Sequence, residues 1–243
     1  MLEEHRLDGL RDRIRLGLAD DATFDALYTE PIRARSSHFW TPVAVATRAA
    51  QLFAHHEVRR VLDVGSGPGK FCLTAACVCP AVDFTGVEHR PRLVEAARAA
   101  GELLRVRNAY FRAGDATSFP WIAFDGFYLY NPFAENVCDA AEHLDDAVEL
   151  SQSRYFRDVR RVRVALAAAP EGVVMVTYNG AGGPIPVSYD LVHAERAGSS
   201  WLRVWVKRGY DDGKMYYVED GDDLLIVSTR TGVTVTKRIP CGP

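Results

Sequence analysis

Three glycines alternate at Gly65, Gly67 and Gly69 in the stretch VLDVGSGPGKFCLTAA, which begins at Val61 and ends in a long apolar tail. A glycine-rich turn between a strand and a helix lets backbone N–H groups approach a phosphate, a dinucleotide or a charged nucleoside. A phosphate-binding loop needs G-x-x-x-x-G-K-[ST], whose hydroxyl holds magnesium. From Gly65 to Lys70 the spacing is one residue short, and Phe71 stands where the hydroxyl must be. A phenyl ring ligates no cation, so this reading fails. The dinucleotide pattern G-x-G-x-x-G requires a third glycine at the position of Lys70.

The acidic residues around the turn narrow the choice further. Asp63 stands two residues before Gly65. A carboxylate there repels a pyrophosphate but suits a ligand that carries an ammonium and a sulfonium. S-adenosylmethionine has both. Glu88 closes the segment VDFTGVE about 20 residues downstream, where a carboxylate can accept from two ribose hydroxyls. Asp115 follows in AGDA, and Tyr130 to Phe133 read YNPF.

In this order the segments resemble the class I S-adenosylmethionine-dependent methyltransferases. The run Asp63-Val64-Gly65-Ser66-Gly67-Pro68-Gly69 matches their first motif, D-x-G-x-G-x-G, in each constrained position. The resemblance spans roughly Thr41 to Lys207. It implies cofactor contacts from Trp40, Thr41, Asp63, Gly65, Ser66, Gly67, Gly69, Glu88, His89, Asp115, Ala116, Asn131, Pro132 and Phe133. No metal site is expected. YNPF is similar to the [DNS]-P-P-[FY] segment of amine methyltransferases with one proline missing, which makes Asn131 and Tyr130 the catalytic candidates. Pro132 is expected to hold Asn131 in extended backbone. A partial similarity to Dot1-like lysine methyltransferases lies in the glycine turn and in NPFAE. Their T-Y-G-E loop is missing, and HFWTP stands in its place, so a histone acceptor is not implied.

Other residues keep two readings. Trp40 either faces a sulfonium or staples the following helix. Lys70 either reaches a carboxylate, the cofactor's among the choices, or is solvated at a helix start. The acceptor is a small molecule or a protein amine; the alternatives are an RNA or DNA base, or binding of S-adenosylmethionine without turnover.

Bulk properties set the frame. The chain has 243 residues, 48% of them hydrophobic, enough for a sizeable core. Its formal charge of -3 supplies no broad basic face, so nucleic acid is not expected as a partner. The five arginines of RYFRDVRRVR, Arg154 to Arg163, are read as a solvated helix face. The five cysteines fit neither a disulfide framework nor a zinc pattern and are read as small core residues. No apolar run approaches the roughly 20 residues needed to cross a bilayer, and the charged start lacks a signal-peptide core. A cytoplasmic protein with no membrane partner is expected.

The elements that must position these residues alternate. Strands are read at Arg60–Val64, Val82–Glu88, AYFRAGD, Phe124–Tyr130 and Gly172–Tyr178, with helices between them. Helices are read over Leu2–Ala19, Ala22–Leu27, from a Thr41-Pro42 start to about His55, over Lys70–Val78, from Pro91 to a stop at Gly101, and through Asp139–Ala169 with a break near Ser151. VSYDLVHAER and WLRVWVKR flank AGSS as an antiparallel hairpin, and KMYYVED, DLLIVST and VTVTKR are further strand-like pieces. The expected fold is α/β: a doubly wound, mostly parallel seven-stranded sheet with an antiparallel C-terminal hairpin, N-terminal helices and a small β-rich extension. The expected domains are a helical cap over 1–40, a cofactor-binding core over 41–210 and the extension over 211–243.

Overall fold

A computed structural model describes residues 9–34, 36–139, 142–209, 218–220 and 223–225. The chain forms two compact units, Met1–Ala116 and Thr117–Pro243. Seven strands make one mixed sheet, and a separate two-stranded piece follows. The expected α/β class, with its mostly parallel sheet and antiparallel C-terminal pair, is the one observed.

Among the described residues the first unit has four short helices, α1 (Leu10–Arg15), α2 (Asp21–Asp25), α3 (Glu30–Arg33) and α4 (Ser36–Phe39), and then α5 (Val43–His55). Next come β1 (Arg60–Val64), α6 (Lys70–Val78), β2 (Asp83–Glu88), α7 (Pro91–Leu103) and β3 (Ala109–Ala113). β2 pairs in parallel with β1 on one side and with β3 on the other. The register places Val64 beside Val87 and Glu88 beside Ala113, so the strands end together. Val61, Leu62, Phe84 and Val87 are buried, as apolar runs in a covered parallel sheet must be. α5 packs on α6, and its Ala46, Ala49, Ala50 and Phe53 are fully buried, a stripe at helical spacing.

The second unit holds β4 (Gly126–Leu129), α8 (Gln152–Ala168), β5 (Val174–Tyr178), β6 (Tyr189–Ala197) and β7 (Ser200–Lys207). β4 and β5 are parallel; β7 runs antiparallel to β5 and to β6. β8 (Val218–Asp220) and β9 (Asp223–Leu225) pair antiparallel. These two are the described parts of KMYYVED and DLLIVST; VTVTKR lies outside the described residues.

Several boundaries differ from the expectation, each for a physical reason. The first helix is described only over Leu10–Arg15, and the chain reverses at Gly17 with φ 71°. The connector before Trp40 folds into α3 and α4. Thr41 does not cap α5: the helix begins at Val43, whose N–H is held by the Asp21 carboxylate at 2.8 Å. Gly101 does not stop α7, which runs on to Leu103. The stretch 143–151 is not helical. There Glu135 and Asp145 accept from the backbone N–H groups of Leu144 and Ala147, local bonds that compete with a helix. The helix starts only where the Ser151 hydroxyl accepts from the Arg154 N–H at 3.2 Å. Among the described residues no helix is long and apolar enough to cross a membrane.

Candidate functional site

The turn after β1 is shaped by its glycines and tied to β2. Gly65 and Ser66 both donate their N–H to the Val87 carbonyl, at 3.0 and 3.1 Å. Gly69 closes the turn on the Ser66 carbonyl at 2.9 Å and has φ 85°. A Cβ at Gly69 would lie 2.5 Å from Phe111 Cε1 and 2.9 Å from Ala97 Cβ. Neither the backbone conformation nor the space admits a side chain there. A Cβ at Gly67 would meet nothing within 4 Å, so the turn is open on that side. The Ser66 hydroxyl is buried and has no hydrogen-bond partner among the described residues.

Two carboxylates stand at the strand ends. Asp63, on β1, is 4% exposed. Burial pushes its carboxyl up to about 7; the Cys72 thiol, which donates to it at 3.3 Å, works the other way, and the Glu88 charge adds a smaller rise. Glu88, on β2, is also buried. One of its oxygens accepts from the Gly67 N–H at 3.0 Å, the other from the Arg90 N–H at 2.9 Å. One N–H on each oxygen orients the carboxylate and leaves each oxygen further acceptor capacity. His89 Nε2 lies 3.9 Å from Asp115 Oδ1, both side chains about two-thirds buried, and Ala116 beside them is buried.

Lys70 is the first residue of α6 and is 3% exposed. Its Nζ lies 2.6 Å from Asp25 Oδ1 and 2.7 Å from Asp21 Oδ1. The carboxylates it reaches are therefore two from α2. The Tyr28 hydroxyl donates to the Pro68 carbonyl at 2.8 Å, inside the glycine turn. Trp40 packs edge-on to Tyr28 at 5.0 Å, and Lys70 Nζ lies 5.8 Å from its ring. The cation that Trp40 meets in this structure is Lys70. Thr41 is buried next to it. The sequence reading overlooked Asp21, Asp25 and Tyr28. Their signal was spacing: an offset of four places Asp21 and Asp25 on one face of α2, with Tyr28 three residues beyond the helix end.

The second unit carries YNPF just beyond β4. The Tyr130 ring lies 5.0 Å from that of Tyr178. Burial, and secondarily Tyr178, push the Tyr130 phenol up to about 12, so near neutral pH it is a hydrogen-bonding phenol rather than a base. Asn131 has φ 38°, which overturns the expected extended backbone. Its N–H donates to the Gly180 carbonyl and its carbonyl accepts from the Ala134 N–H, both at 3.1 Å. These bonds close a turn that outweighs the preference imposed by proline, and asparagine tolerates the left-handed region better than most residues. The Asn131 side chain is 9% exposed and joins no other described residue by a hydrogen bond. Phe133 is equally buried; a Cβ on Gly182 would approach Pro132 Cδ to 3.1 Å and the Phe133 ring to 3.3 Å.

The remaining motifs are structural in their contacts. Within α8 the buried Asp158 takes Arg154 at 3.3 Å and Arg157 at 3.1 Å. Cys72 and Cys77 are buried free thiols and Cys79 is a partly buried one, whereas Cys138 is disulfide-bonded, against the core-thiol expectation. No group of three or more metal-ligating side chains occurs among the described residues.

A parallel sheet with a glycine turn after its first strand and acids ending β1 and β2 defines a nucleoside-cofactor enzyme of the doubly wound class. A family model described as a methyltransferase domain matches residues 55–180, and the chain belongs to that family. It is a class I S-adenosylmethionine-dependent methyltransferase. Among solved structures, an RNA methyltransferase from Salinibacter ruber in complex with S-adenosyl-L-homocysteine superposes with a TM-score of 0.51, at 18% identity over 72% of this chain and 97% of that one. A candidate O-methyltransferase from Klebsiella pneumoniae superposes with a TM-score of 0.51, at 14% identity over 86% of this chain and all of that one (100%). At these identities the likeness is one of fold. A search of curated proteins found no match.

Proposed function

We propose that Asp63, the turn from Gly65 to Gly69, Glu88, His89, Asp115 and Ala116 hold S-adenosylmethionine, with Trp40 and Thr41 beside the turn. The observation that carries this reading is the Glu88 carboxylate: each oxygen is oriented by one backbone N–H and keeps capacity for one ribose hydroxyl. The unpartnered Ser66 hydroxyl and the open side of Gly67 fit a ligand at the same turn. Asp63 supplies negative charge for the ligand's cationic amino-acid end. S-adenosylmethionine, when bound, supplies an electrophilic methyl carbon on a sulfonium leaving group.

The acceptor we favour is an amine of a small molecule or a protein. The Asn131 side chain, buried and unbonded to other described residues, accepts a hydrogen bond from the amine N–H and fixes the direction of the nitrogen lone pair. Phe133 supplies an apolar wall that limits hydration of that nitrogen. The Asn131 carbonyl is engaged by Ala134, so the side chain carries this role. Tyr130 serves as a neutral hydrogen-bonding group. A nucleic-acid base is the second reading; the likeness to an RNA methyltransferase fold is compatible with it. We further propose a cytoplasmic location and a cofactor-binding core over 41–210 between a helical cap and a β-rich extension.

Calorimetry against S-adenosylmethionine, S-adenosylhomocysteine, NAD and ATP tests the cofactor reading; binding of the first two alone is expected, and binding of NAD without S-adenosylmethionine would overturn it. Transfer of labelled methyl groups into cell extract, sorted into small-molecule, protein and RNA fractions, identifies the acceptor class. Label confined to RNA would favour the second reading.

A further inference from the structure

A lysine in the first turn of a helix carries the wrong charge for that end, because the helix dipole already makes it positive. Lys70 stands there and is also buried, which adds the cost of desolvating an ammonium. Both costs are offset by Asp25 at 2.6 Å and Asp21 at 2.7 Å. Asp25 is buried with Lys70, whereas Asp21 is about half exposed. Asp21 does a second thing: the oxygen that meets Lys70 also accepts from the Val43 N–H, the first of α5. One carboxylate thus links the starts of α5 and α6. A little further along the chain, the Tyr28 hydroxyl reaches the Pro68 carbonyl between Gly67 and Gly69. The Tyr28 ring is in turn held edge-on by Trp40 and lies 6.1 Å from that of Phe24.

The glycine turn has little to hold it by itself. Its residues contribute one small side chain, Ser66, and one ring, Pro68. Its backbone is tied to β2 through the Val87 carbonyl and Glu88. The outer arm, Pro68 to Lys70, makes no hydrogen bond to a strand among the described residues. The N-terminal segment supplies what is missing, at two points: a hydrogen bond from Tyr28, just after α2, to Pro68 and an ion-pair triad of α2 carboxylates on Lys70.

We infer that Asp25, Tyr28 and Asp21 are positioning residues of the cofactor turn: they act through Lys70 and Pro68 to preset the backbone conformation from Gly67 to Lys70 before the ligand arrives. This rests on the reading of the turn as the S-adenosylmethionine site. A preset turn loses less conformational entropy on binding, so loss of the latch weakens cofactor affinity. The latch also brings the segment from Asp21 to Trp40 into the functional machinery of the enzyme, although that segment lies outside the residues matched by the family model.

The test uses the full-length protein with Tyr28→Phe, which deletes one hydroxyl and keeps the ring, and with Asp25→Asn and Asp25→Glu. S-adenosylmethionine and S-adenosylhomocysteine are titrated calorimetrically, and amide exchange at Gly67 to Phe71 is followed without ligand. Tyr28→Phe is expected to weaken both ligands about fivefold, as the loss of one hydrogen bond allows. Asp25→Asn should weaken them about tenfold or more, with Asp25→Glu recovering most of the loss. Exchange at Gly69 and Lys70 should quicken in the two weakening variants. Ser151→Ala, a cap deletion in the second unit, serves as a control: it lowers thermal stability and leaves affinity unchanged. Wild-type affinity and wild-type exchange in Tyr28→Phe would overturn the inference, even if Asp25→Asn fails to fold. A wild-type protein that does not bind S-adenosylmethionine would remove the cofactor reading instead, and the exchange data on the ligand-free turn would still decide whether the latch holds it.

Discussion

The substitution Asp63→Asn should remove a loss of stability that the ligand-free protein suffers as pH rises, while damaging the cofactor site. The carboxyl is fully enclosed and its proton affinity is raised from the ordinary 3.8 to about 7. Because the folded-state value lies above the unfolded one, the native state holds its proton more tightly between these limits. Stability therefore falls as pH rises from about 4 through about 7, and the full penalty is present above that range. Three decades of proton affinity correspond to about 4 kcal/mol. The amide introduced at position 63 brings a buried N–H₂ that needs partners, which adds an offset that does not change with pH. The pH dependence is free of that offset. Integrating the two titrations, the variant should gain about 2.5 kcal/mol on the wild type between about pH 5 and pH 8. Urea denaturation of both proteins at the two pH values measures it. A stability difference that does not change with pH would refute the claim that burial raises the Asp63 carboxyl in the folded protein. The same variant should bind S-adenosylmethionine more weakly at about pH 8, where the wild-type carboxylate is ionised and meets a cationic ligand.

Three other substitutions probe separate parts of the site. Glu88→Ala removes the acceptor for the Gly67 and Arg90 N–H groups and should lower cofactor affinity about tenfold or more in calorimetry, with the fold retained by circular dichroism. Gly69→Ala, at φ 85° and with its new Cβ 2.5 Å from Phe111, should cost about 2–4 kcal/mol in denaturant melts. Asn131→Gly suits the backbone at φ 38° better than Asn131→Ala; once an acceptor is known, it should slow transfer about tenfold or more while cofactor affinity holds, and unchanged kinetics would leave YNPF as a structural turn.

The parts of the fold that were legible are those in which local chemistry and tertiary demand coincide. β1, the turn and α6 are read almost to the residue, because an apolar run, three glycines needing unusual backbone and a second apolar run permit little else. The antiparallel hairpin was equally plain, since β6 and β7 alternate on either side of a short polar turn. Illegible were the places where a distant group takes over a local job. Thr41 is a good cap by type, yet Asp21, 22 residues earlier than Val43, caps α5 instead. Asn131 before a proline should be extended, yet bonds to Gly180 and Ala134 turn it. The polar stretch from Asp139 to Ser151 was expected to be helical, but Glu135 and its own Asp145 bind its backbone first.

Lys70 shows why a motif alone could not supply the whole site. Its type and position suggested an anion, and an anion is what it meets, but the partner comes from α2 rather than from a ligand. The sequence of the turn states which backbone conformations are needed; it does not state what holds them. That information sits in a segment whose Asp21 and Asp25 look like the polar side of a short helix, with Tyr28 just beyond it, until the fold brings them to Lys70 and Pro68. A short helix facing solvent would gain little from two acids four apart, which repel each other. Placed over the start of α6, the same pair surrounds a buried ammonium and is favourable. The repulsion in the isolated helix and the attraction in the folded one are therefore the same charges, and the sign of their contribution is decided by Lys70.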